Sequence, residues 1–380
     1  MRLRHAFVVG ALTVLATLAA GLFVPAGVES KEETHYLASW SPIEGLAARN
    51  AYVGAAACLQ CHSNLAKTAP ETPMAQAAIL SGQFDLLHNQ PELTYQLGPF
   101  GYNIRRRGNQ LVYSVSDGKD TLSEPIQYAF GFGLKGQTYV FTHDGVYYES
   151  HLSYYVNTRG LDITFGHPSQ VPSSLDEALG HRLSPGDAQL CFACHTTAAV
   201  IEGRLDPRSL MPGVGCESCH GPGAEHTAAV KAGKFDRPHI FNPGRLQPGD
   251  LVDFCGNCHR TWEQVIKMQI FSVRNVRFQP YRLSSSRCWG FDDARISCLA
   301  CHDPHQNLRP DAAFYDSKCL ACHVSGRGAR PGKTHPGAAC PVASENCVTC
   351  HMPKYTLPEG KSEFTDHFIR IVRKNAPYPG

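Results

Sequence analysis

Seven copies of one pentapeptide, Cys-x-x-Cys-His, hold most of the chemistry that this chain's residue types allow. They open on Cys58, Cys191, Cys216, Cys255, Cys298, Cys319 and Cys347 and continue through Cys61, Cys194, Cys219, Cys258, Cys301, Cys322 and Cys350. They close on His62, His195, His220, His259, His302, His323 and His351. Two thiols at this spacing take thioether bonds to the two vinyl groups of one haem, and the adjoining imidazole reaches the iron as proximal ligand. With 16 Cys and 19 His in 380 residues, random placement would give about 0.03 such pentapeptides. Zinc sites bring two Cys pairs together and do not require a His after each second Cys. All seven pairs carry that His, so the reading is seven covalently bound haem c groups.

Each iron has a sixth position. A second histidine there closes the coordination sphere and favours electron transfer over binding chemistry. Twelve histidines remain beyond the motifs. His226 in CHGPGAEH and His305 in CHDPH are held near a haem by the backbone, and a neighbouring iron is their natural partner. His367 in FTDHFIR, His335, His167, His181 and His239 come next, and His88 suits the isolated first haem. For each of these the alternative is a surface or propionate-bonded imidazole. His35, His143 and His151 fit that alternative better. Met74, Met211, Met268 and Met352 are the remaining sulfur donors and are less favoured. Cys288 and Cys340 lie outside the motifs; in an oxidising compartment two leftover thiols form a disulfide, with two buried free thiols as the alternative.

Segments of several kinds must position these groups. Met1-Arg2-Leu3-Arg4-His5 and the apolar run Ala6 to Val24 read as a signal peptide over 1–26, with an uncleaved anchor as the alternative. A linker over 27–50 leads to a first-haem segment, 51–90, in which Glu71 to His88 carries helical apolar spacing. Residues 91–180 hold no haem motif. Short alternating runs there, divided by Gly108-Asn109, Asp117-Gly118 and Asp144-Gly145, predict a β-rich insertion built of hairpins. A six-haem domain follows over 181–372, with a helix expected from Thr261 to Phe271, and residues 373–380 form a tail. Phe364 to Val372 is expected to fold back onto the haems. Seven haems leave about 54 residues each, too few to wrap every one in its own apolar globule. The expected fold is a multihaem cytochrome c: short helices and irregular chain around a haem array, with the β-rich insertion set apart.

A formal net charge of +2 gives no field that would draw nucleic acid. Haem propionates add negative charge, and Arg105, Arg106, Arg107 or the spaced Arg274, Arg277, Arg282 and Arg287 are candidates to meet it. A solvated basic face is the alternative for the first cluster.

YVGAAACLQCH, GVGCESCHGPGAEH, CLACHDPH and CVTCHMPK with FTDHFIR resemble the multihaem cytochromes related to the tetrahaem electron acceptor of hydroxylamine oxidoreductase. That wider group includes cytochrome c nitrite reductase, octahaem tetrathionate reductase and hydroxylamine oxidoreductase itself. The resemblance covers roughly 52–62 and 185–370. It implies haem pairs, stacked in parallel or meeting edge to edge, mostly with two axial histidines, and His226 and His305 look like distal ligands. The chain also departs from the group. Every motif ends in His, whereas nitrite reductases of the group have Lys at the catalytic haem, and the seven-haem count and the insertion differ as well.

The function expected is transfer of electrons between redox partners by an exported protein, periplasmic or at the outer cell surface. The partners would be redox proteins or a quinol-oxidising membrane complex. A first alternative is an oxidoreductase of a small nitrogen or sulfur compound at one open haem, with His143, His151, Tyr147, Tyr148 and Arg159 as nearby donors. A second is a subunit of a cytochrome filament or surface conduit. No catalytic residue is assigned, and oligomeric state is left open.

Overall fold

The computed structural model describes residues 40–379 except 81–86, 88–90, 132–134, 238, 294, 324–339, 358–361, 374 and 376–377. The predicted signal peptide, His35, His88 and His335 lie outside the described residues. Among the described residues no helix is long and apolar enough to cross a membrane.

The insertion is built from β1 (Ala78–Leu80), β2 (Glu92–Leu97), β3 (Phe100–Arg107), β4 (Gln110–Ser116), β5 (Thr121–Pro125), β6 (Tyr128–Phe130), β7 (Gly136–His143), β8 (Val146–Ser150), β9 (Leu152–Tyr155), β10 (Gly160–Ile163) and β11 (Gly180–Arg182). Strands β2-β3-β4-β5 form an antiparallel meander. The second sheet runs β1-β6-β7-β8-β11, with β9 paired to β7 and β10 to β9. The predicted dipeptides make the turns. Gly108-Asn109 sets Arg107 opposite Gln110, and Asp144-Gly145 sets His143 opposite Val146. Asp144 and Gly145 both take positive φ, 49° and 76°, a conformation that Asp tolerates and Gly adopts freely.

Side chains alternate across a strand, and this gives the second sheet two packed faces. Tyr139 and Phe141 of β7 join Tyr102, Ile104, Tyr113 and Val115 of the meander in one core between the sheets. Val140 points the other way, with Phe130, onto Ala188 and Phe192 of the helix Pro185–His195. Tyr128 and Phe130 meet the Phe192 ring edge-on at 4.8 and 5.3 Å. The insertion is therefore docked on the helix that ends in the second motif. Its sheet runs from Ala78 to Arg182, past both ends of 91–180.

The helix expected from Glu71 to His88 does not form in its described part. Residues 72–77 run in turns after the 3-10 turn Ala69–Glu71, and Ala78–Leu80 is β1, paired with β6. Pro73 has no amide to donate, and Gly131 N–H donates to Ala77 O at 2.8 Å, extending the ladder instead.

The motifs sit on short helices: Ala55–Leu59, Pro185–His195, Cys216–His220, Pro248–His259, Cys298–Cys301, Asp316–His323 and Cys347–His351. Positions i and i+3 share a helix face, so one turn brings both thiols of a motif to the same side. Thr261 caps a further helix in a capping box with Gln264, but that helix ends at Met268, short of Phe271, because Gln269 turns left-handed at φ 53°. The C-terminal hairpin pairs Lys354–Thr356 with Glu363–Thr365.

Candidate metal centres

A cavity of about 3980 Å³ runs through the motif-bearing part, lined by all seven motif histidines and by every motif cysteine except Cys191. A pocket for one small ligand takes ~300–1,000 Å³, so this space suits several large groups side by side. Residues 364, 365, 367 and 369–372 also line it, so the segment Phe364 to Val372 folds back onto this cavity.

The imidazoles are aimed by their second nitrogen. His195 donates Nδ1–H to Ala77 O at 3.1 Å, His220 to Phe241 O at 3.0 Å and His351 to Arg370 O at 2.8 Å. Fixing that proton on Nδ1 leaves Nε2 as the donor to a metal. Burial, the largest influence on each, pushes the pKa of His195, His220, His259 and His302 down. That favours the neutral imidazole a metal requires.

Three motif histidines face a second imidazole across the cavity. His62 and His226 have ring centres 6.4 Å apart and planes 25° apart; His220 and His305 are at 6.1 Å and 15°; His302 and His367 are at 6.2 Å and 47°. Two rings each bound through one nitrogen ~2 Å from a shared metal, with the ring centre ~1.1 Å behind it, stand about 6.2 Å apart. The donor set and its spacing fit haem iron held from both sides. Among the described residues, no imidazole pairs in this way with His195, His259 or His351.

Buried acids hold these segments in register. Glu217, inside the third motif and 1% exposed, accepts from Val53 N at 2.9 Å, Gly54 N at 2.8 Å and Gly223 N at 2.8 Å. It thereby ties the start of the first motif's helix to the loop that leads to His226. Asp316 accepts from Asn346 N at 2.7 Å and Cys347 N at 2.8 Å, joining the sixth motif to the seventh. Asp366 takes both arms of Arg282, at 2.9 and 3.0 Å, beside His367. Sequence reasoning missed Glu217 and Asp316, since a carboxylate that serves backbone amides carries no motif.

Thiol contacts record which motifs are neighbours. Cys58 meets Cys216, Cys194 meets Cys258, Cys255 meets Cys298 and Cys319 meets Cys347. Among the described residues, no three His, Cys, Asp or Glu side chains converge as a zinc site would require.

Other candidates are placed elsewhere. His167 pairs with Glu149 at 3.0 Å, His181 lies on exposed β11 opposite Glu149, and His239 stands 3.9 Å from Glu225. None of the three lines the cavity. His143 bonds Glu124 at 2.7 Å. Cys288 and Cys340, the two cysteines outside the motifs, both line the cavity. Arg282 serves Asp366 rather than a propionate, and Arg105, Arg106 and Arg107 lie on the exposed end of β3. Arg277 and Arg287 do line the cavity.

Cavity, thiols and paired imidazoles define a c-type cytochrome with several haems. Comparison with known proteins finds likenesses of the following kinds. The family described as cytochrome c554 and c-prime matches residues 170–221, which contain the second and third motifs. The multiheme cytochrome MtrA of Shewanella baltica (strain OS185) is 25% identical over 150 residues, covering 36% of this chain and 38% of that protein. The outer cell wall cytochrome OcwA superposes with a TM-score of 0.48 at 15% identity, over 85% of this chain and 80% of that one. The chain is a multihaem c-type cytochrome; none of these likenesses names hydroxylamine oxidoreductase.

Proposed function

We propose that the protein is an exported electron carrier with seven covalently bound haems, passing electrons between redox proteins or from a quinol-oxidising membrane complex. The observation that carries this is the set of three imidazole pairs, each spaced to hold one iron from both sides. A bound haem supplies one-electron exchange, and an iron with two imidazoles leaves no site for a substrate. In this reading His226 is the distal ligand of the haem at His62, His305 of that at His220 and His367 of that at His302. Each distal histidine follows the motif two places further along the chain, so successive odd-numbered sites are stitched together. The thiol contacts favour an order in which sites one and three adjoin, four adjoins both two and five, and six adjoins seven. Export is supported by the charged and apolar N-terminus and by thioether attachment itself, and the balanced charge offers nothing to nucleic acid.

Pyridine haemochrome analysis and electron paramagnetic resonance of the oxidised protein test the proposal. Seven haems per chain, with low-spin signals throughout, are expected. Fewer than seven, or high-spin character at the three paired sites, would refute it.

A second reading, reduction or oxidation of a small nitrogen or sulfur compound, draws on His195, His259 and His351, which lack an imidazole partner among the described residues. A spectral change with nitrite, hydroxylamine or cyanide would favour it; indifference to all three would exclude it.

A further inference from the structure

Arg277 is a half-buried cation, its Nε fully covered, with no acid of its own among the described residues. Its guanidinium lies 4.0 Å over the ring of Phe165, from the loop after β10, and 4.9 Å over that of Phe278. Its Nε is buried without a hydrogen-bond partner, and the side chain lines the cavity. Burial first, then Arg260 and Arg274, pushes its pKa down to about 10, which still leaves it charged at neutral pH.

The surroundings make the cation costlier. Arg260 follows His259 directly and also acts on Cys194, His195 and Cys258. Gln279, two residues on from Arg277, stands beside His259. Of the carboxylates that line the cavity, Glu217 is engaged with backbone amides, Asp293 with Arg295 and Asp303 with His305 and Gln306, while Glu345 is exposed, just before the seventh motif. Glu149, which acts on His195, is held by His167. A guanidinium in a low-dielectric site requires an anion with planar, bidentate geometry, and the described protein residues supply none to Arg277.

We infer that Arg277 binds a carboxylate brought by the cofactor, a propionate of one of the two adjoining haems at His195 and His259, and that Phe165 of the insertion holds the guanidinium in place. The inference rests on the haem reading above. It gives the β-rich insertion a role in the array: it closes a cationic site that sets the potential of one haem. A nearby cation stabilises the extra electron of the ferrous state, so removing it lowers that haem's midpoint potential.

The test is a spectropotentiometric titration of the holoprotein after haem content has been measured. A wild-type count below seven would count against the haem reading, separately from this inference. With seven haems present, Arg277→Gln is expected to lower one midpoint and leave six unchanged, and Arg277→Lys to lower the same one less. Phe165→Leu keeps the apolar cover, removes the ring, and is expected to lower that midpoint in a chain that assembles even if Arg277→Gln does not. Seven unchanged potentials in Arg277→Gln, or in Phe165→Leu where that is the only variant to assemble, would overturn the inference. So would wild-type potentials that move with added acetate or nitrate while those of Arg277→Gln stay fixed, since the site would then hold a free anion.

Discussion

His305 donates its Nδ1–H to Asp303, 3.1 Å away, and turns its ring toward His220 rather than toward His302, the histidine of the motif it follows. His226 and His367 likewise face the histidine of an earlier motif. Replacing His305 with Ala is expected to convert one haem, that at His220, from low to high spin and to make it bind carbon monoxide. Paramagnetic resonance and carbon monoxide difference spectra would show this, and an unchanged low-spin spectrum would refute the assignment. Thiols and proximal imidazoles were legible in the sequence because thioether chemistry fixes their spacing within five residues. His226, His305 and His367 were legible as candidates, but not the motif histidine each one faces, because that depends on contacts between segments far apart in the chain, such as Val53 N to Glu217, 164 positions apart. His167, His181 and His239 have the same residue type and were indistinguishable until their carboxylate neighbours were seen.

The elements show what holds those residues in place. In the strap that follows the C-terminal hairpin, Asp366 is fully buried and Arg282 is 2% exposed, and Ser286 Oγ bonds both His367 O at 3.1 Å and Ile369 N at 2.8 Å. Asp366→Ala strands a buried guanidinium, a loss of roughly 3–5 kcal/mol, and frees His367. Thermal unfolding and the spin state of the haem at His302 are expected to change together; a drop in melting temperature with His367 still ligated would separate the two roles. Within the insertion, His151 stacks on Tyr102 at 6.0 Å and meets His167 at 5.5 Å, with a buried, unpartnered Nε2. Burial first, then His167, pushes its pKa down to about 4, with Glu177 opposing. The unfolded chain takes up that proton near pH 6.5 and the folded insertion only near 4, so stability falls as pH drops through this window, by about 3 kcal/mol in all. Hydrogen exchange of β7 and β9 at pH 7, 5 and 4 measures this. His151→Phe is expected to flatten the profile; an unaltered slope would place the titration elsewhere. The hairpins were legible because Asp-Gly and Gly-Asn act locally. The apolar spacing after Glu71 was misread because it suits a helix as well as a strand whose partner, β6, lies some fifty residues away.

At the scale of the whole molecule the two halves rest on different kinds of core. The insertion buries Tyr102, Ile104, Tyr113, Tyr139, Phe141 and their neighbours against one another and needs nothing but protein. The motif-bearing part has small clusters, such as Val265, Phe278 and Tyr281, around a cavity of about 3980 Å³, far from the close packing a protein interior demands. Residues per haem already pointed to a cofactor-filled core. That the insertion packs on the second motif's helix was not legible, since the Tyr128, Phe130 and Phe192 contact joins segments about sixty residues apart. Chain made without haem attachment is therefore expected to keep the insertion and lose the rest. Limited proteolysis followed by mass spectrometry should leave a resistant fragment of roughly residues 78–183, while the motif-bearing segments are cut. In the haem-loaded protein both halves should resist. Equal resistance of both halves without haem would mean that the polypeptide alone sustains the cavity, and the haems would then occupy a scaffold rather than complete one.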